Sequence, residues 1–241
     1  MGSLGSSQNE LTVLVTGFGP FKENCPVNPS GEIAASLPDY LPGDRTKDPA
    51  RQTPSSLPPV RILKLPDPVH VSYDVVRGLV PKLWDNPEQK IDYAIHIGMA
   101  GPQRVYSLER RAHRDGYDKE DVDGKLLRDE KRRQREGDDW IWHGLPEELL
   151  TDLDIEDVYQ RCVERGLDLY LQISDDPGRY LCDFIYFSSL AHLSKRQRPK
   201  KVVFLHVPQH ADQKSLNLGK ELALALVRSI VESELSKKSS E

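Results

Sequence analysis

Short β-branched runs alternate with helical segments along most of this chain, and several of the runs end in turns that contain glycine. Runs of Val, Ile and Thr favour strands, whereas apolar residues recurring every three or four positions favour helices. Strands that alternate with helices bury their apolar faces by placing helices against a sheet. The pattern therefore predicts an α/β fold, a three-layer α/β/α sandwich with a central mixed, mostly parallel twisted sheet.

Capping residues, glycines and prolines mark where the elements of this sandwich begin and end, and they predict a single domain over 11–235. The predicted strands are 11–16, 60–65, 91–98, 167–173 and 201–206. The predicted helices are about 30–37 with Ser30 as the N-cap, 73–84, one that begins at Asp154 and stops at Gly166, 179–193, and 215–235. We expect a disordered lead-in at 1–10, polar insertions near 42–59 and 128–146, and a polar tail at 236–241. The block 129–136 is interpreted as a solvated face or loop, because its charges alternate and largely cancel.

Composition narrows the class of protein. The 241 residues are 37% hydrophobic with a net charge of −5 and no basic face, which argues against nucleic acid as a partner. No apolar run approaches the ~20 residues of a membrane span. The three cysteines form no CxxC pair and follow no signal peptide, so we expect a cytoplasmic protein. Residues 1–6 match the N-myristoylation pattern at Gly2, although a Gly/Ser-rich terminus produces the same letters by chance.

The segment 173–184 is predicted to run from a strand through a short turn into a helix whose first turns contain Cys182. Free N–H groups and the helix dipole favour an anion there, so a thiol in this position is more easily ionised. Two other predicted turns, 98–109 and 206–212, bring Glu109 and His206 to strand ends, where sites of α/β proteins collect. Together the three side chains supply the nucleophile, base and orienting carboxylate of a thiol hydrolase.

Other interpretations of these residues stay open on the sequence alone. A cysteine in a helix is more often a small buried hydrophobe than a nucleophile. His206 and His210 with Asp212 could form a metal site, although they lie on a loop that contains proline. Gly17 and Gly19 could begin a dinucleotide loop, but the third glycine of that motif is missing.

Four motifs in the same order resemble those of one known family. They are 13–21 followed by 27–30, then 107–110, 178–184 and 204–208. Together they resemble the pyroglutamyl peptidase I family (pyrrolidone-carboxylate peptidases), in its eukaryotic-type form, over about 11–232. The resemblance implies a cysteine exopeptidase that removes N-terminal pyroglutamate from peptides, without a metal or organic cofactor, and a monomer. It implies catalytic roles for Glu109, Cys182 and His206. It also implies a substrate pocket formed by Phe18 and Phe21 with Tyr180 and Leu181 as neighbours.

One departure from the family pattern concerns the turn after the third strand. Met99 stands where bacterial members have a glutamine, and a thioether cannot donate a hydrogen bond to an oxyanion. Any such role would then pass to backbone N–H groups. Two alternatives to the enzyme therefore remain: a relative that binds pyroglutamyl peptides without turnover, and a thiol redox sensor centred on Cys182.

Overall fold

A six-stranded sheet forms the centre of the molecule. The structure, a computed structural model, describes residues 10–21, 26–43 and 57–239. The strands of this sheet are β1 (Leu11–Gly17), β2 (Val60–Lys64), β3 (Tyr93–Met99), β4 (Val105–Glu109), β7 (Tyr170–Ser174) and β8 (Val202–Val207). A separate two-stranded hairpin pairs β5 (Arg111–His113) with β6 (Glu148–Leu150). The spatial order β2-β1-β3-β8-β4-β7 places the last strand of the chain inside the sheet.

The sheet is mixed and mostly parallel. Strands β1, β2, β3 and β8 pair in parallel, as do β4 and β7, and only the pair of β4 with β8 is antiparallel. In that pair Ser107 lies opposite His206, and Glu109 lies opposite Phe204. Because alternate residues of a strand share a face, the side chains of Glu109, Phe204 and His206 lie on one face of the sheet.

Helices cover both faces, which confirms the predicted three-layer sandwich. The helices are α1 (Pro29–Ser36), α2 (Tyr73–Trp84), α3 (Asp129–Glu136), α4 (Ile155–Glu164), α5 (Leu181–Lys195) and α6 (Gln213–Lys238). Helices α1, α4 and α6 pack with one face of the sheet, through residues such as Val13, Ile95 and Leu205. Helices α2 and α5 pack with the other face, through residues such as Leu14, Ala94 and Phe204. Of the described helices, none is long and apolar enough to cross a membrane.

The helix starts follow from short polar side chains. Asp154 accepts a hydrogen bond from Asp157 N at 3.1 Å and so caps α4, as expected. The first helix begins one residue earlier than expected, since Pro29 stands at its first position and Asn28 is the cap. The prediction of Ser30 as the N-cap is therefore wrong. The Ser30 hydroxyl instead accepts a hydrogen bond from Phe18 N at 3.0 Å.

The region after β4 is more structured than its polar composition indicates. The block 129–136 forms helix α3, which is attached to the body of the protein by the buried Asp129 carboxylate and Arg77, at 2.6 and 2.7 Å. Trp140 and Trp142, which follow it, are buried against the α2–α5 layer. The alternative of a solvated loop is therefore wrong, whereas the alternative of a solvated face agrees with the exposed or half-buried side chains along most of α3. Helix α6 likewise continues into the expected tail, to Lys238.

Some expectations concern residues outside the described part of the chain. The lead-in at 1–9, including Gly2, lies there, as does 44–56 of the expected insertion at 42–59. The acylation pattern and most of that insertion therefore stay predictions.

Candidate active site

Two neighbouring strands bring an acid and a histidine together. Glu109 ends β4 and His206 lies near the end of β8, and Glu109 Oε1 is 2.7 Å from His206 Nδ1. Both side chains are buried, with 2% of Glu109 and 8% of His206 exposed. The Phe204 ring packs beside the imidazole, with 4.7 Å between the ring centroids. The expectation of a turn over 98–109 is therefore wrong in its second half, because Glu109 lies on a strand that pairs with β7 and β8.

The Glu109 carboxylate depends on this one histidine for a charged partner. Its second oxygen, Oε2, is buried without a hydrogen-bond partner in the described part of the chain. The Tyr186 hydroxyl donates to the Glu109 backbone carbonyl at 3.0 Å and so fixes the residue from the α5 side. A buried carboxylate with few donors favours a cation beside it, because the alternative is an uncompensated charge in a medium of low polarity.

Cys182 lies near the same imidazole and forms with Glu109 and His206 a row of three side chains. It lies in the first turn of α5, is half-buried, and sits over Gly98, which is paired in register with His206. Gly98 of β3 leaves the space that the thiol occupies, since a Cβ atom at Gly98 would lie 2.7 Å from Cys182 Sγ. The same Cβ atom would lie 2.5 Å from Phe204 Cζ. The absence of a side chain at Gly98 therefore lets β3, β8 and α5 meet at this point.

The electrostatics of the row favour an imidazolium. Burial lowers the pKa of His206, but the charge and hydrogen bond of Cys182 and those of Glu109 raise it by more, from 6.5 to about 10. A second histidine near the same layer behaves in the opposite way. His96 is fully buried between the Thr16 and Ser189 hydroxyls, at 2.7 and 2.8 Å, and burial lowers its pKa to about 3. His96 is thus neutral and structural, whereas His206 is held in its charged form.

The start of α5 supplies free donors beside the thiol. Tyr180 is the N-cap in an extended conformation, and its side chain makes no capping hydrogen bond. Within the described residues, the backbone N–H groups of Leu181 and Cys182 have no acceptor. Such N–H groups carry the positive end of the helix dipole, and they suit an anion that forms next to the Cys182 sulfur.

The loop after β1 is fixed by a hydrogen-bond network around one buried amide. Asn28 Nδ2 donates to the Gly19 carbonyl at 2.8 Å, while its Oδ1 accepts from the Ser30 backbone and hydroxyl. Ser30 in turn accepts from Phe18 N. Gly17 is required at the base of this loop, because a Cβ atom there would lie 2.1 Å from the Ser30 carbonyl oxygen. The network holds Phe18 in a single position.

A cavity of about 290 Å³ lies between this loop and Cys182. It is lined by Phe18, Phe21, Asn28, Val71, Met99, Ala100, Tyr180, Leu181, Cys182 and Gln209. The four residues expected from the sequence, Phe18, Phe21, Tyr180 and Leu181, are all among them. The Phe21 and Tyr180 rings meet edge to face, with centroids 5.5 Å apart.

Sequence reasoning missed several residues of this lining. It gave no role here to Asn28, Val71, Ala100 or Gln209, and it treated Met99 only as a departure from the family pattern. Gln209 follows the His206 motif closely enough to have been noticed. Val71 carried no signal, because it lies in a loop without periodicity and reaches the cavity only through tertiary packing.

The residues of the alternative metal site serve other purposes. His210 Nε2 is 2.9 Å from the Pro102 carbonyl oxygen, and Asp212 caps α6 by accepting from Ser215 N at 3.1 Å. Across the described ranges, no group of three His, Cys, Asp or Glu side chains could hold a metal ion.

Comparison with known proteins identifies the family of this chain. The family model described as pyroglutamyl peptidase matches residues 11–233. Human pyroglutamyl-peptidase 1 is 31% identical over 228 residues, covering 95% of this chain and 91% of the relative. Pyrrolidone-carboxylate peptidase of Pyrococcus furiosus is 31% identical over 212 residues, covering 87% and 86%. A solved structure of a mutant of the P. furiosus enzyme superposes with a TM-score of 0.67 at 25% identity, covering 92% of this chain and 99% of that one. The chain therefore belongs to the pyroglutamyl peptidase family and is a pyroglutamyl-peptidase I-like peptidase.

Proposed function

We propose that this protein removes N-terminal pyroglutamate from peptides by a Cys-His-Glu mechanism. The observation that carries the proposal is that Glu109 and Cys182 both lie beside the buried His206 imidazole, with Glu109 Oε1 2.7 Å from Nδ1, next to a small cavity with aromatic walls. Pyroglutamate has a compact lactam ring without a free amine, so its recognition requires apolar walls and a few fixed polar groups. Phe18, Phe21 and Tyr180 supply such walls, and a cavity of about 290 Å³ suits a single small residue.

In the first half of the reaction, the Cys182 thiolate attacks the carbonyl carbon that joins the pyroglutamyl group to the next residue. The carbonyl π electrons move onto oxygen, and the N–H groups at the start of α5 stabilise that oxyanion. The His206 imidazolium gives its proton to the leaving nitrogen as the carbon–nitrogen bond breaks. The shortened peptide leaves as an amine, and the pyroglutamyl group remains on Cys182 as a thioester.

In the second half, neutral His206 takes a proton from water while the water oxygen attacks the thioester carbonyl. The carbon–sulfur bond then breaks, pyroglutamic acid leaves, and the Cys182 thiolate pairs again with the imidazolium. Glu109 stabilises the imidazolium in both halves and orients its ring. Met99 lines the cavity without donating a hydrogen bond, so the proposal assigns oxyanion stabilisation to the backbone.

The direct test measures release of 7-aminocoumarin from a pyroglutamyl-7-amidocoumarin by wild type and by Cys182→Ala. We expect the variant to lose all release above the uncatalysed rate, because no other group can form the thioester. Cys162→Ala is the matched control, since Cys162 is a buried cysteine that contacts Ser229 on the other face of the sheet. It should keep the wild-type kcat. Appreciable turnover by Cys182→Ala would refute the assignment.

The same assay separates the two alternatives. A relative that only binds pyroglutamyl peptides would show no turnover in wild type, although pyroglutamate would protect Cys182 from alkylation by iodoacetamide. A redox sensor would be alkylated at Cys182 without protection by the substrate. The enzyme turns over the reporter, and its Cys182 is protected.

A further inference from the structure

Asp183 directly follows the nucleophile, and its carboxylate turns away from the helix to which it belongs. It is the third residue of α5, with Tyr180 as the N-cap. An acidic side chain at this position commonly folds back towards the positive start of the helix, and in a capping box it accepts from the N–H of the N-cap residue. Here the Asp183 side chain is fully buried, and the described residues show no capping hydrogen bond to Tyr180 N.

Three donors from outside the helix hold that carboxylate. Asp183 Oδ1 accepts from His113 N at 2.9 Å, and Oδ2 lies 3.1 Å from His113 Nδ1. Arg179 Nη1 also reaches Oδ2, at 3.4 Å. His113 belongs to β5 of the small hairpin, so these contacts connect the first turn of the nucleophile helix to a separate piece of the fold.

The two donor residues are themselves fixed. The Tyr117 hydroxyl donates to the His113 carbonyl, which holds the histidine from its own strand. The Arg179 side chain packs over Gly116, where a Cβ atom would lie 3.3 Å from Arg179 Cδ, and Nη1 also bonds Asp176 at 2.6 Å. Gly116 has φ +95°, a conformation that favours glycine and leaves this space open. Further contacts therefore hold both donor residues of Asp183 in place.

We propose that His113 and Arg179 are positioning residues that hold the Asp183 carboxylate away from the free N–H groups beside Cys182. This inference rests on the proposed function, because those N–H groups are the ones assigned to the oxyanion. A carboxylate released from its donors would compete with the substrate oxyanion for the N–H groups. It would also place a negative charge beside the thiolate, which disfavours ionisation of the thiol. Both effects slow the chemical step without altering the pyroglutamate cavity.

The test is a suppression experiment with three variants. The double variant His113→Ala/Arg179→Ala removes two of the three donors. We expect kcat to fall about 100-fold with KM little changed, as for loss of an oxyanion donor. Adding Asp183→Ala removes the competing carboxylate, so the triple variant should recover at least about tenfold of that loss. Asp183→Ala alone should stay within about tenfold of wild type, because the N–H groups remain free.

A purely structural role for the cluster gives a different pattern. In that case the triple variant, which has lost the most contacts, would be no more active than the double variant, and the proposal would be overturned. An unchanged kcat in the double variant would overturn it as well. Glu234→Ala is the matched control, since it removes another buried carboxylate that is paired with a cation, Lys201 Nζ at 2.6 Å, but lies on α6 across the sheet. It should lower the thermal midpoint without lowering kcat at a temperature where the protein is folded.

A second readout keeps this inference separate from the proposed function. The rate of Cys182 alkylation by iodoacetamide reports thiolate availability without any peptide substrate. It should fall in the double variant and recover in the triple variant. Should the double variant fail to fold, His113→Ala and Arg179→Ala are measured singly, each with and without Asp183→Ala. Absence of reporter turnover in wild type would refute the proposed function, whereas alkylation without recovery would refute the role of Asp183.

Discussion

Replacing Glu109 by glutamine tests how much the buried carboxylate contributes to the His206 imidazolium. The change keeps the shape of the side chain and a carbonyl acceptor, but it removes a charge 2.7 Å from His206 Nδ1. Two unit charges about 4 Å apart interact by about 4 kcal/mol at an effective dielectric constant of about 20. A neutral hydrogen bond retains about 1 kcal/mol of this. The remaining ~3 kcal/mol corresponds to a fall of about 100-fold in kcat/KM, because each 1.36 kcal/mol is tenfold.

The same substitution should also shift the pH profile of kcat/KM in a defined direction. The pKa of His206 stands at about 10 because Cys182 and Glu109 outweigh burial, so removing the Glu109 charge lowers it. In the proposed mechanism activity requires the imidazolium, so we expect it to be lost as pH rises through that pKa. The alkaline limb of kcat/KM should therefore move to lower pH in Glu109→Gln. Initial rates with the pyroglutamyl reporter, measured from about pH 5 to about pH 11, define both limbs.

The matched control is Glu234→Gln. Glu234 is also buried and paired, with Lys201 Nζ at 2.6 Å, but it lies on α6 across the sheet. It should lower stability and leave the alkaline limb in place. A Glu109→Gln enzyme with kcat/KM within about twofold of wild type and an unmoved alkaline limb would refute the role of the carboxylate.

A Cβ atom at Gly98 would lie 2.7 Å from Cys182 Sγ and 2.5 Å from Phe204 Cζ. Gly98→Ala should therefore displace the thiol and lower kcat/KM by about 10- to 100-fold, in line with an overpacking cost of about 1–3 kcal/mol. Phe21→Ala removes an aromatic wall of the cavity, so KM for the reporter should rise about tenfold while kcat changes little. Burial lowers the pKa of His96 to about 3 from 6.5, so its contribution to stability is complete above pH 6.5 and is lost as pH falls towards 3. Denaturant unfolding should show this as a slope of up to about 1.4 kcal/mol per pH unit, and His96→Gln should flatten it.

Each of these expectations has a result that contradicts it. Wild-type kinetics in Gly98→Ala would mean that the thiol and the Phe204 ring do not occupy the space beside β3. A Phe21→Ala enzyme that loses kcat at unchanged KM would assign Phe21 to the chemical step rather than to binding. An unfolding free energy that falls equally with pH in wild type and His96→Gln would assign the acid sensitivity to other groups.

The sequence predicts five of the six strands of the central sheet and misses β4. Strands β1, β3 and β8 were identified because each is a β-branched run, and α4 because of Asp154 and Gly166. Strand β4 falls within the turn predicted over 98–109. It has only five residues, and its strand conformation depends on pairing with β7 and β8, which its own composition does not predict.

In the candidate site, too, the sequence predicts some residues and not others. The residues that resemble the family motifs, Glu109, Cys182 and His206, lie together, and so do the four cavity residues named from the sequence. The residues that surround the site could not be predicted from the sequence. Nothing in the sequence distinguishes Asp183 from other polar helix residues. Its hydrogen bonds with His113 form only because the hairpin of β5 and β6 folds back onto α5. The Trp140 and Trp142 packing was hidden in the same way, inside a segment that is polar on average.

The position of β8 has a consequence for how the protein is made. Its two neighbours in the sheet are β3 and β4, so the sheet consists of two separate halves until residues 202–207 have left the ribosome. Each half would expose an unpaired apolar edge during synthesis, a feature that promotes aggregation. The strand that joins the halves also carries His206. A nascent chain that has not closed its sheet therefore lacks the base of the proposed mechanism, and we expect peptidase activity to report completed folding.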